Sequence, residues 1–383
     1  MPKIRPVPQK DGTTHYRFTC DIGRDPDSGK RQQITRTFRL LREAKAELAR
    51  ICHETRTGAY VRPWDGTVNE LLDDYLRSAT FEREANTAAS YRHAFLPVRE
   101  RLGQRRAQSI TRKDIEGLRD WMLTSGRRRG GKPGTGLGAR SVRLTLGRLK
   151  AAFEQACDDG KLHRNPCRGV KLPAQEKREH ATWNEAEVRA FLKVASEDRL
   201  HACWRLSLYG MRRAEVCGLR WDDVDLEART VTVTTTRVLV DSEVIVKAPK
   251  SKRSGRTLPL DDTLVAALKD LRKLQAAERL AAGEAYKPSG YVAVDELGAP
   301  AGLEWYSDEF GRLATRGGVP KIRLHDGRHS CLSLLEKAGV PISIVSAWAG
   351  HYDPSFTYSN YVHAGTPDLS AAAGALARIC KID

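Results

Sequence analysis

The chain has 383 residues, more than one hydrophobic core ordinarily holds, so two or three domains are expected. Its 65 lysines and arginines outnumber its 48 aspartates and glutamates, and the formal net charge of +17 favours a polyanionic partner. Nucleic acid is the first interpretation and an anionic membrane surface the second. No stretch approaches the ~20 consecutive apolar residues of a membrane-spanning helix, and the N-terminal residues lack the apolar stretch of a signal peptide. We therefore expect no membrane insertion and a cytoplasmic protein.

The eight cysteines are scattered along the chain, without a Cys-x-x-Cys pair or a regular spacing of Cys and His ligands. We interpret them as reduced packing residues, and not as a zinc site or a disulfide framework. They are Cys20, Cys52, Cys157, Cys167, Cys203, Cys217, Cys331 and Cys380.

Residues 1–62 form a basic block with fourteen lysines and arginines against seven acidic residues. Short runs at 3–7, 15–21 and 32–38 predict three strands. The residues that then follow helical spacing are Leu41, Ala44, Leu48 and Ile51. A three-stranded sheet with one packed helix is predicted, either as a DNA-binding domain or as a solvated or protein-contacting appendage.

Residues 65–172 have a helical pattern and predict a compact helical domain. Thr111 and Asp114 resemble the start of a capped helix, and Gly160 ends a later one. The apolar stripe of that later helix consists of Val142, Leu146, Leu149, Phe153 and Ala156. Between these helices, residues 125–136 are rich in glycine and arginine, which fits either a plain mobile loop or a phosphate contact.

The polar stretch at 173–181 reads as a linker, after which residues 182–383 form the third block. Thr182 and Glu185 have the spacing of a capping box and predict the start of its first helix.

Alternating residues within this block, at 230–240 and 243–248, predict a pair of strands that turns at Asp241 and Ser242. The expected fold class is therefore multidomain and mainly helical with small β-sheets. The chain has no Gly-x-x-x-x-Gly-Lys-Ser/Thr loop, so the sequence gives no support for an ATP-driven mechanism.

Five short segments of the third block carry the chemistry. They read YGMRRAEVCGLRW at 209–221, PKSKRSGRTLPL at 249–260, RLHDGRHS at 323–330, WAGH at 348–351 and TYSNYVH at 357–363. In this order they resemble the signature of the tyrosine recombinase family, also called the phage integrase family. The resemblance implies a catalytic set made of Arg212, Lys250, His325, Arg328, His351 and Tyr361.

The two arginines of this set suit a phosphate under attack, because a planar and permanently charged fork can bind two nonbridging oxygens. By the family pattern Arg212 is the phosphate ligand, and its neighbour Arg213 is not. Arg328 supplies the second guanidinium. His325 precedes it by one helical turn, so both side chains can face one phosphate. Gly327 stands where the family usually has leucine, and a glycine there is expected to weaken the helix.

Lys250 is preferred over Lys252 as the lysine of the β-turn in this family. A lysine at such a turn can protonate the leaving 5′ oxygen if the site lowers its pKa, whereas its alternative role is a contact with bulk DNA phosphate.

Tyr361 falls ten residues after His351 and is followed by a small residue and His363, as in the family, whereas Tyr358 is not. A phenol has a pKa near ~10 and needs neighbouring positive charge and a proton acceptor to attack at neutral pH. The arginines and histidines of the set would supply both. His329 and His363 are interpreted as structural.

The resemblance implies that Tyr361 forms a 3′-phosphotyrosyl bond and frees a 5′ hydroxyl, which then attacks the phosphotyrosine of a partner strand. Bond energy is conserved, so no cofactor, ATP or metal is expected. The implied function is a site-specific recombinase that integrates or excises a mobile element such as a prophage.

The implied partners are double-stranded DNA, with core sites and flanking arm sites, and three further copies of this chain in a homotetramer on that DNA. Residues 1–62 would bind arm sites, residues 65–172 and 182–383 would clamp the core site, and the tail at 369–378 would pack on a neighbour or on its own domain. An excision factor and a host DNA-bending protein are the expected helpers, and the bacterial nucleoid is the expected location.

The sequence is also compatible with two rival functions. A type IB topoisomerase shares the tyrosine chemistry but acts as a monomer, and the small N-terminal sheet favours a recombinase. An architectural or regulatory DNA-binding protein with a decayed catalytic domain is the other, and it is disfavoured because all six catalytic positions hold competent residues.

Overall fold

The computed structural model describes residues 2–24, 30–57, 60–175, 181–249 and 255–350. The chain divides into two compact units, Met1–Glu176 and Lys177–Asp383. Both units consist mainly of helices, and their sheets are small and antiparallel, which confirms the expected fold class. In the ranges just given, no helix is both long and apolar enough to cross a membrane.

The first unit begins with a three-stranded antiparallel sheet in the order β1-β2-β3. Its elements are β1 (Arg5–Pro8), β2 (Thr14–Arg24), β3 (Arg31–Phe38) and the helix α1 (Leu41–Arg56). One face of the sheet packs on α1 around a small core, which contains Phe18, Cys20, Ala44 and Ile51. This confirms the predicted sheet with one packed helix. Residues 25–29, between β2 and β3, lie outside the described residues.

The rest of the first unit is helical. Its helices are α2 (Val68–Ala79), α3 (Ala85–Leu102), α4 (Arg112–Ser125) and α5 (Ala139–Asp158), with a short 3-10 turn at Ala107–Ser109. Thr111 and Asp114 form the predicted capping box at the start of α4. The predicted apolar stripe of α5 is buried, and Gly160, with a φ of +68°, lies just beyond its end. A glycine takes that left-handed conformation without the steric cost of a Cβ.

The second unit surrounds a large core to which most of its elements contribute. Its helices are α6 (Glu185–Ala195), α7 (His201–Leu208), α8 (Arg213–Val216), α9 (Asp262–Ala282), α10 (Leu303–Arg316), α11 (Leu324–Lys337) and α12 (Ile342–Ala349), with 3-10 turns at Trp221–Asp223 and Gly283–Ala285. Its strands are β4 (Val224–Asp225), β5 (Thr230–Thr232), β6 (Thr236–Val240), β7 (Glu243–Lys247) and β8 (Thr257–Pro259). The sheets are β4-β5-β8 and the hairpin β6-β7.

The start of α6 differs from the prediction. The capping box is formed by Asn184 and Glu187, two residues later than the predicted Thr182 and Glu185. Trp183 explains the shift: it is 2% exposed, its ring packs at a tilt against that of Phe191 with 5.1 Å between the centroids, and its indole N–H donates to the carbonyl of Pro320 over 2.8 Å. Residues up to Trp183 therefore remain outside the helix, and α6 begins only after this buried side chain.

The predicted strand at 230–240 is also different, because it is two strands in two sheets. β5 pairs with β4 and β8, whereas β6 pairs with β7. The turn between β6 and β7 lies where it was predicted, at Asp241 and Ser242, which both have positive φ angles. The seven described cysteines form no disulfide.

Candidate active site

The first predicted segment places a buried carboxylate at the start of α8. Arg212 is the residue before this helix, and Glu215 lies in its first turn. The Glu215 carboxylate accepts from the backbone N–H of Arg212 over 2.8 Å and from its Nη1 over 2.6 Å. Glu215 is 2% exposed, whereas about a third (32%) of the Arg212 side chain remains accessible. Arg212 is thus anchored at its base while its guanidinium can still reach a ligand.

Glu215 remains ionised because arginines surround it. Burial would raise the pKa of this carboxyl, but hydrogen bonds from Arg256 and the charges of Arg256, Arg212 and Arg328 lower it to about 2. The carboxylate is therefore charged throughout the physiological range and can hold the guanidinium groups around it.

The third predicted segment forms the start of α11, as expected. Arg323 precedes the helix, and Asp326 in the first turn accepts from the Arg323 backbone over 3.2 Å and from its Nε over 2.8 Å. This repeats the construction at α8, in which an acidic residue of the first turn caps the helix and binds the arginine before it. Both helix starts are therefore fixed by their own sequence.

Arg328 lies one turn after His325 on α11 and is 1% exposed. Its guanidinium donates to the carbonyl oxygens of Gly210 and Ala349. The Nη2 of Arg212 donates to the next carbonyl, that of Gly350, over 3.2 Å. The two arginines thus bind consecutive carbonyls at the end of α12, which brings the first, third and fourth predicted segments together.

The His325 side chain is accessible to solvent, although protein groups surround part of its ring, which lies edge-on to that of His329 with 4.8 Å between the ring centroids. Partial burial of the ring, and the charges of Arg328 and Arg212, lower the pKa of His325 below its ordinary value. The neutral imidazole is therefore favoured at neutral pH, and it has a nitrogen that can accept a proton. His329 is buried, which fits its interpretation as structural.

Gly327 has a packing role that the sequence did not reveal. A Cβ at this position would lie 3.3 Å from Leu208 Cδ2 and 3.4 Å from Phe310 Cζ. Large neighbours therefore occupy the space that a side chain at 327 would fill, and α11 packs closely against α7 and α10.

An open groove of about 830 Å³ lies beside these residues, between α8, α10 and the start of α11. Asp308 is an acidic residue of its lining. The basic side chains of the lining are those of Arg212, Arg213, Arg312, Lys321, Arg323 and His325. Arg213 donates to Ser307 Oγ over 2.8 Å and is held against α10. A positive groove of this kind suits a phosphodiester chain.

The other predicted catalytic residues, Lys250, His351 and Tyr361, lie outside the described residues. So do Lys252, Tyr358, His363 and the predicted tail helix at 369–378. Across the described ranges, no group of three or more His, Cys, Asp or Glu residues is arranged to hold a metal ion.

Residues 183–366, which include all five segments, match the family model described as the phage integrase family. This part of the chain belongs to the phage integrase family. A protein of Caldanaerobacter subterraneus subsp. tengcongensis named tyrosine recombinase XerC-like is 28% identical over 377 residues, which cover 92% of this chain and 93% of the relative.

Two solved structures share the fold of this integrase family member. The Tn1549 transposon integrase in complex with transposon right end DNA has a TM-score of 0.67 at 22% identity, and covers 82% of this chain and 100% of its own. A lambda integrase tetramer bound to a Holliday junction has a TM-score of 0.54 at 18% identity, and covers 91% of this chain and 96% of its own.

Sequence reasoning on this integrase family member missed two buried residues of the site, Glu215 and Arg256. Both stand inside the quoted segments, but neither was assigned a role. A carboxylate three residues after an arginine at a predicted helix start was a usable signal for Glu215. Nothing local pointed to Arg256, because its partner lies 41 residues away along the chain.

Proposed function

We propose that this chain cleaves and rejoins double-stranded DNA through Tyr361, with Arg212, Arg328, His325, His351 and Lys250 as the other catalytic residues. As a member of the phage integrase family, the chain is a tyrosine-type site-specific recombinase that acts in DNA integration. The observation that carries the proposed site is that Arg212 and Arg328 bind consecutive carbonyls at the end of α12, while His325 lines a positively charged groove together with Arg212.

The chemistry follows from these groups. The phenolic oxygen of Tyr361 attacks the scissile phosphorus, and the bond between phosphorus and the 5′ oxygen breaks. The phenolic proton passes to a neutral histidine, for which the lowered pKa of His325 is suited, and Lys250 donates a proton to the leaving 5′ oxygen. Arg212 and Arg328 stabilise the charge on the nonbridging oxygens. The reverse reaction, with a 5′ hydroxyl from the partner strand, rejoins the DNA.

The choice of Arg212 over Arg213 has structural support. Arg212 donates to Gly350 beside the end of α12, whereas Arg213 donates to Ser307 on α10. Only the first therefore extends toward the segment that leads to His351 and Tyr361.

We further propose that residues 1–62 bind arm sites, that residues 65–172 bind the core site, and that residues 182–383 form the catalytic domain. Four copies would assemble on two duplexes, as in the lambda integrase tetramer bound to a Holliday junction. An excision factor and a host DNA-bending protein would direct the reaction, and the working location would be the bacterial nucleoid.

Substitution of the nucleophile tests the proposed chemistry. Tyr361→Phe removes one oxygen and little volume, so we expect it to abolish the covalent protein–DNA adduct on a nicked suicide substrate while leaving DNA binding nearly intact. Tyr358→Phe is the matched control and should still form the adduct. An adduct that persists in Tyr361→Phe and disappears in Tyr358→Phe would reverse the assignment.

A further inference from the structure

One buried guanidinium connects three segments of the candidate site. Arg256 lies immediately before β8, and 7% of its side chain is exposed. Its Nη1 and Nη2 donate to the two carboxylate oxygens of Glu215, each over 3.0 Å. Its Nε donates to the carbonyl oxygen of Trp348 over 2.7 Å. Two parallel bonds to one carboxylate fix its orientation as well as its distance.

The Glu215 carboxylate transmits this constraint to Arg212. Oε1 accepts from Arg256 and from Arg212 Nη1, and Oε2 accepts from Arg256 and from the Arg212 backbone. The Trp348 carbonyl also precedes those of Ala349 and Gly350, which bind Arg328 and Arg212. Arg256 thus binds both Glu215 and the end of α12, the two parts of the site that hold the proposed phosphate ligands Arg212 and Arg328. Arg256 itself is buried.

We propose that Arg256 is a positioning residue for DNA cleavage, which holds Glu215 and the end of α12 so that Arg212 is oriented for the scissile phosphate. This inference rests on the proposed function of Arg212 as a phosphate ligand. Arg256 also lies in the same sequence segment, 249–260, as Lys250. Replacing it should therefore slow the chemical step more than it weakens DNA binding, because binding is shared among many phosphate contacts elsewhere.

The role has a pH signature that a purely structural contact would lack. The charged groups that face Glu215 are Arg212 at the start of α8, Arg256 before β8 and Arg328 on α11. Burial favours the protonated acid, and the hydrogen bonds from Arg256 oppose it most strongly. Without Arg256, Glu215 is protonated at a higher pH than in the wild type, and a neutral acid holds the Arg212 guanidinium less firmly.

The test compares Arg256→Met and Arg256→Lys with a matched variant, Arg199→Met, in the full chain. Arg199 forms a comparable pair with Glu278 and also donates to backbone carbonyls, but it contacts α9 and the 294–295 turn, outside the candidate site. Single-turnover cleavage of a suicide substrate and the dissociation constant for core DNA are measured separately, from about pH 8 to about pH 6. His325 is present in the wild type and in every variant, so the rate of each variant is expressed relative to that of the wild type at the same pH.

We expect Arg256→Met to slow cleavage about 100-fold at neutral pH, with a change in DNA affinity below about threefold, and the deficit to grow as the pH falls. Arg256→Lys keeps the charge but not the fork, and should lie between this variant and the wild type. Arg199→Met should cleave at the wild-type rate per folded molecule.

The outcomes separate this inference from the proposed function. A wild-type chain that forms no adduct contradicts the proposed function itself. If the wild type cleaves and Arg256→Met cleaves equally fast, the positioning role is wrong. It is also wrong if rate and affinity fall together, or if the rate ratio is the same at every pH. Should Arg256→Met fail to fold by circular dichroism, Arg256→Lys decides, and a wild-type rate in that variant overturns the proposal.

Discussion

Glu215 shows at the level of single residues how the site accumulates positive charge. One buried carboxylate faces Arg212, Arg256 and Arg328, so the local charge on these groups is net positive. A buried charge is costly unless it is paired, and here the incoming phosphate would supply the missing negative charge. The protein can tolerate this excess because the guanidinium groups are held by backbone carbonyls as well.

Lys250 gives a prediction that depends on leaving-group chemistry alone. If it protonates the 5′ oxygen, Lys250→Ala should block cleavage of ordinary DNA far more than cleavage of a substrate with a 5′-bridging sulfur, because a thiolate leaves without a proton. Cleavage rates on the two substrates measure the difference.

Lys252→Ala is the control for Lys250→Ala and should lose little rate on either substrate. Equal losses on both substrates after Lys250→Ala would remove this lysine from the general-acid role and leave it as a phosphate contact.

The sequence suggests candidate residues for the site, but it does not reveal the contacts between them. Arg212, His325 and Arg328 could be chosen by their segments, and the structure brings them together. The pair formed by Arg256 and Glu215 could not be predicted, because a contact across 41 residues depends on how β8 packs behind α8. Residue spacing carries information about one helix or one strand, whereas this pair joins two elements.

At the scale of elements, the two errors have one cause. Residues 182–187 contain two overlapping capping patterns, and the burial of Trp183 selects the later one. Residues 230–240 are rich in β-branched residues throughout, but Val233 donates its backbone N–H to the carbonyl of Arg256, after which the chain passes from one sheet to the other. In both cases tertiary packing decided between local patterns that the sequence leaves equivalent.

Gly327 leads to a prediction about the packing of α11. Gly327→Leu should destabilise the second unit by about 2 kcal/mol, because a side chain there overpacks the contact with Leu208 and Phe310, although leucine favours a helix. Gly327→Ala should be close to neutral, since its Cβ fits if the two neighbouring side chains shift slightly. The midpoint of thermal unfolding of the full chain measures both.

Gly311→Ala on α10 is the matched control, because a Cβ at that position meets no heavy atom within 4 Å. It should stabilise the second unit by about 0.5–1 kcal/mol through helix propensity alone. Wild-type stability in Gly327→Leu would show that the core has room for a side chain at this position.

At the scale of the whole molecule, the described residues form separate hydrophobic cores. The N-terminal sheet, the helices α2–α5 and the second unit each surround their own apolar cluster. The sequence suggests such blocks because the stretch at 173–181 is polar and the pattern of apolar residues differs between the blocks. The binding role of each block cannot be read from a core, since it depends on the exposed faces.

The outer face of the N-terminal sheet gives the last prediction. Arg17 pairs with Thr37 and Thr19 with Thr35 across β2 and β3, and these four exposed residues lie opposite the face that packs on α1. Such a polar strand face can enter a DNA groove and read base edges. We therefore expect Arg17→Glu to weaken arm-site binding about tenfold or more, measured by footprinting and titration, while cleavage of isolated core sites is unchanged.

Lys45→Glu, an equal charge change at an exposed position of α1, should weaken arm binding much less, because it does not lie on the sheet face.

A truncated protein that begins at Asp65 should cleave core sites but fail to recombine full attachment sites, since bridging arm and core sites raises the local concentration of protein at the crossover. Equal losses from the two charge reversals would reduce the effect to net charge. Recombination of full sites by the truncated protein, with no protection outside the core, would show that residues 1–62 have another role.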